Sequence, residues 1–76
     1  MDVADADRRI GSLERRYYEL NFAARNARAQ LRDLEAKSDA NVSAVRLTLR
    51  NGVTGAEREM ASILEEIARI EDSLLD

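Results

Sequence analysis

Seventy-six residues with neither Cys nor His make one small domain at most, and they leave out disulfide staples, Cys- or His-based zinc sites and the commonest catalytic side chains. With 36% charged, 45% apolar and only 4% aromatic residues, the composition is that of long helices and coiled coils, and a net charge of −3 argues against a simple polycation. A core of this size supplies only about 3 to 5 kcal/mol, so oligomerisation or a protein partner is expected to complete it.

No apolar run approaches the roughly 18 to 20 residues of a membrane span. The acidic start Met1-Asp2-Val3-Ala4-Asp5 is unlike the basic beginning of a signal peptide, so a soluble, cytoplasmic protein is expected. There is no Pro, and the three Gly stand at positions 11, 52 and 55, which favours long uninterrupted elements.

The first element is predicted over residues 3–37. Val3, Ala6, Ile10, Leu13, Tyr17, Leu20, Ala24, Ala27, Leu31 and Leu34 alternate spacings of three and four, a heptad seam along one helix face. The alanines bury little area but allow a neighbouring helix to approach closely. A rod of this length, about 50 Å at 1.5 Å per residue, cannot bury its own seam.

The seam fails between Ala36 and Asn41, where Ser38, Asp39 and Asn41 are all good helix N-caps, and a turn is placed there. Residues 40–51 are read as a short connecting helix or turn. Val42, Val45 and Leu49 fit a helix, although Val45, Leu47 and Leu49 also alternate with polar residues as a strand would. Gly52, after Asn51, is read as a left-handed helix C-terminus. Thr54-Gly55-Ala56-Glu57 then resembles a capping box opening a last helix over residues 54–75.

That last helix carries Ala56, Met60, Ile63, Ile67, Ile70 and Leu74 at spacings of four and three, with Leu64 and Leu75 widening the stripe. The phase from Leu49 through Ala56 to Met60 is read as interrupted, by a break at Gly52 or by a stutter accommodated there. Charge divides along the chain. Residues 8–50 hold ten basic and five acidic side chains, and residues 57–76 hold seven acidic and two basic.

The expected fold is therefore all-α: an antiparallel helical hairpin or coiled coil of two long helices with a short connecting helix, in an oligomer. Its helix–helix core is expected to be Ile10, Leu13, Tyr17, Leu20, Leu31 and Leu34 against Met60, Ile63, Ile67, Ile70 and Leu74. Tyr18 and Phe22 lie one turn apart off the seam, with Ala29 continuing their side, and form a candidate partner interface.

No nucleophile–base pair, metal set or phosphate-cradling glycine loop is legible, so a non-enzymatic, cofactor-free protein without a small-molecule substrate is expected. The expected function is protein–protein interaction, as an assembly, adaptor or inhibitor protein or as a homo-oligomer. The alternative is a nucleic-acid-associated oligomer using the Arg-rich region 8–50, in the manner of small phage or mobile-element accessory proteins. Its expected contacts are Arg15, Arg16, Arg46 and Arg50.

Overall fold

A computed structural model describes residues 2–36 and 42–75. Two helices, α1 (Val3–Glu35) and α2 (Val42–Leu75), pack against each other as a hairpin 56 Å long. Among the described residues there is no strand. The segment 42–50, for which strand alternation was the competing reading, is helical.

Helix α1 starts after Asp2, whose backbone is extended and whose carbonyl accepts the Ala6 N–H at 2.9 Å. It ends at Glu35, two residues short of the expected limit, and the capping residue Ala36 still has a right-handed backbone. The turn expected around Ser38, Asp39 and Asn41 lies outside the described residues.

The α1 seam faces α2. Ala6, Leu13, Leu20 and Ala24 are buried, and Ile10, Tyr17, Ala27, Leu31 and Leu34 are half-buried. Val3, the first residue of α1, is 61% exposed and contributes little. From α2, Ile63 and Ile70 are buried, and they join Ala6, Leu13 and Leu20 in one apolar cluster. Ile10, Tyr17, Ala56, Met60 and Ile67 pack against it. Leu74 is exposed at the helix end, outside the core expected of it. Leu64 and Leu75 do not widen the buried stripe, since both are exposed.

The expected break at Gly52 is absent. No described residue has a positive φ, so Gly52 is not a left-handed cap, and α2 runs through Gly52 and Gly55 to Leu75. The separate short helix and the Thr54 capping box therefore do not form. The physical reason is the seam itself. Val42, Arg46, Leu49, Val53, Ala56 and Met60 follow one another at spacings of four and three and are all half-buried, so the apolar phase passes through Val53 without interruption. Two interior glycines cost about 1 kcal/mol each relative to Ala, and continuous packing against α1 outweighs that. The same phase corrects the reading of residues 42–50. The seam position between Val42 and Leu49 is occupied by Arg46, and Val45 is left exposed.

Candidate interaction surface

A two-helix hairpin has two flanks, and interhelical ion pairs identify them here. On the first flank, Arg9 brings Nε to 3.1 Å and Nη2 to 2.6 Å of one Glu66 oxygen. Arg16 reaches Glu59 at 2.9 Å and also approaches Glu19 at 3.6 Å. Each of Arg9, Arg16, Glu59 and Glu66 immediately precedes a seam residue, namely Ile10, Tyr17, Met60 and Ile67. The second flank is marked by the ion pair of Arg28 with Glu57, which immediately follow the seam residues Ala27 and Ala56. Residues just before and just after a seam position lie on opposite sides of it, so the pairs bracket the core.

All three pairs are substantially exposed to solvent, so each contributes no more than about 1 kcal/mol. Their larger effect is on orientation. They link low-numbered arginines of α1 to high-numbered glutamates of α2, as an antiparallel arrangement requires.

Tyr18 and Phe22 are each 68% exposed. The Tyr18 ring stands edge-on to that of Tyr17, with centroids 6.1 Å apart and planes at 85°. Tyr17 is half-buried on the seam, so this contact steadies the outer ring against the edge of the core. Phe22 and the exposed Ala29 are seven residues apart and share the ridge pointing away from α2. Tyr18 follows Glu14 by four and precedes Asn21 by three, and both of those lie at seven-residue steps from Arg28, so Tyr18 inclines to the second flank. Leu64, seven residues beyond Glu57, is on that flank too and is 53% exposed.

The four arginines proposed for nucleic-acid contact are not brought together. Arg15 is exposed on the outward ridge, while Arg16 is engaged by Glu59 and Glu19. Arg50 and Arg46 stand nine and thirteen residues before Glu59 along α2, about 13 and 20 Å at the helical rise. Arg50 is exposed on the second flank. Arg46 occupies a seam position, where its Nε is enclosed and has no hydrogen-bond partner among the described residues.

A depression open to solvent lies against Arg28, Leu31, Arg32 and Glu35, near the connection. It places one carboxylate among two guanidinium groups and offers no nucleophile. Among the described residues no three acidic side chains converge as a metal site would need, and no helix is long and apolar enough to cross a membrane.

Leu64 as a surface residue, and the glutamates Glu57, Glu59 and Glu66 as partners for specific arginines, escaped the sequence reading. The available signal was adjacency. Oppositely charged residues that sit just before, or just after, seam positions on two antiparallel helices face one another. No protein-family model, curated protein or solved structure matches the chain.

Proposed function

We propose that this chain is a non-enzymatic protein–protein interaction module that binds polypeptides through exposed apolar side chains held on a preformed helical hairpin. The observation that carries this reading is the placement of Tyr18 and Phe22. They are two large aromatic residues one turn apart, each two-thirds exposed, on a helix whose seam is already satisfied by α2. Aromatic anchors of this kind are enriched at the centres of interfaces, and holding them on helix α1 lowers the ordering cost of binding. The seam supplies the fold, the ion pairs set the orientation of the two helices, and the outward aromatics supply affinity.

The test replaces both aromatics, Tyr18→Ala with Phe22→Ala, and follows helicity, solution mass over a range of concentrations, and affinity capture in parallel. Retained helicity with loss of self-association or of a captured protein is expected. Unchanged mass and unchanged capture would remove the patch from the function. Retention on DNA that weakens steeply with salt and with Arg46→Gln and Arg50→Gln would instead move the reading to nucleic acid.

A further inference from the structure

We propose that the second flank of the hairpin docks a second copy of this chain in antiparallel orientation, so that the connection end of each copy covers the chain-end half of the other. This rests on reading the protein as an interaction module, and it names the partner and its register.

The apolar part of the flank is central. Tyr18 falls at the middle of the 33-residue helix α1, and Leu64 and Ala61 stand beside it on α2 at seven and four residues from Glu57. Of the exposed large apolar residues described, the first flank carries only Val45, and its Arg9 and Arg16 are already matched within the chain by Glu66 and Glu59.

Charge on the second flank divides at that centre. Toward the chain ends it presents Asp7, Glu14 and Glu71. Toward the connection it presents Arg25, Arg32 and Arg50, with Arg28 engaged by Glu57 and Glu35 the acidic exception. All of these residues are exposed apart from this internal pairing. A parallel copy would lay acid on acid and base on base. An antiparallel copy does the reverse.

The register is specific. If α1 of one copy crosses α1 of the other so that Asp7 meets Arg32, then Glu14 meets Arg25 in the same alignment. The seven-residue step from Asp7 to Glu14 equals the step from Arg32 back to Arg25. Two-fold symmetry repeats both pairs, and the axis passes between Tyr18 and Asn21, through the apolar centre. Residues seven apart keep to one side of a helix, so all four groups present together. A flank of 56 by 14 Å encloses roughly 800 Å², about what each partner contributes to a stable interface of standard size.

The decisive experiment uses two charge-reversed variants of the full chain, followed by light scattering and sedimentation. One carries Arg25→Glu with Arg32→Glu, and the other Asp7→Arg with Glu14→Arg. Wild type is expected to dimerise. Each variant alone mismatches every α1–α1 pair, and its dimer is expected to weaken at least about tenfold. A one-to-one mixture matches every pair again and is expected to restore the dimer. Either variant dimerising as well as wild type, or a mixture that does not associate, overturns the register.

A second readout does not depend on those variants folding. The chain has no Cys, so mild oxidation of mixed Glu14→Cys and Arg25→Cys proteins should yield a disulfide between the two kinds of chain. Glu14→Cys chains linking to one another instead would show a different register and overturn the proposal. A helical monomer at all concentrations also overturns it, and Tyr18-dependent and Phe22-dependent capture of a different protein would then leave the interaction reading standing. Absence of both kinds of binding would remove both.

Discussion

Replacing Gly52 and Gly55 by Ala tests the continuity of α2 through the sign of its effect. Both residues lie inside the helix with right-handed backbone, and a Cβ built at either meets nothing within 4 Å. Alanine would therefore add no clash and would remove the entropic penalty of glycine, about 0.8 to 1 kcal/mol per site in a helix interior. Both glycines fall on or beside the first flank, away from the face proposed to dock a second copy, so the gain should be confined to the helix. The pair together should stabilise by roughly 1.5 to 2 kcal/mol, which for a domain of this size raises Tm by about 6 to 16 °C. Were Gly52 a left-handed helix end, alanine there would cost about 1 to 2 kcal/mol instead. Thermal and urea melts followed by circular dichroism, at one fixed chain concentration, separate the two outcomes. A fall in Tm for Gly52→Ala would refute an unbroken α2, and the seam through Val53 with it.

Ile63→Ala removes three carbons from the most buried large side chain of the apolar cluster and should cost about 2 to 3 kcal/mol, enough to unfold much of a hairpin this small. Leu75→Ala, at a site 85% exposed, should change stability by less than about 0.5 kcal/mol in the same melts. Arg46→Leu replaces an enclosed guanidinium nitrogen lacking a described partner with an apolar side chain at a seam position, and a gain of about 1 kcal/mol in the urea midpoint analysis is expected. Glu59→Gln and Glu66→Gln each break an exposed interhelical pair, and each should cost less than about 1 kcal/mol, with the cost shrinking further in 1 M salt.

The α1 face from Ala6 to Leu34 is legible from spacing alone, because a three–four alternation over several turns has few other structural solutions. The distal part of α2 is legible for the same reason, through Met60, Ile63, Ile67 and Ile70. The middle of α2 was obscured by local chemistry. Gly52 beside Asn51 reads as a helix end, and Thr54 with Glu57 reads as a beginning, although the packing energy of a continuous seam exceeds both preferences. Val53 is the residue that reconciles them, and it is easily passed over as part of a loop. Arg46 hides a seam position behind a charge, while Val45 next to it attracts the assignment. The exposure of Tyr18 and Phe22 follows from their phase. Which flank Tyr18 joins required the ion pairs of Arg28 and Arg9, since periodicity alone gives no handedness to the two sides.

The apolar cluster joins Ala6, Leu13 and Leu20 to Ile63 and Ile70, and it therefore gathers toward the two ends of the chain rather than toward the connection. The covalent connection then acts chiefly to raise the effective concentration of α2 at α1. Severing it would leave most of the apolar contact intact and convert folding into a bimolecular encounter. Peptides spanning 1–36 and 42–76 would then recombine in a concentration-dependent way, and their dissociation constant would report the strength of the helix pairing without the contribution of the link.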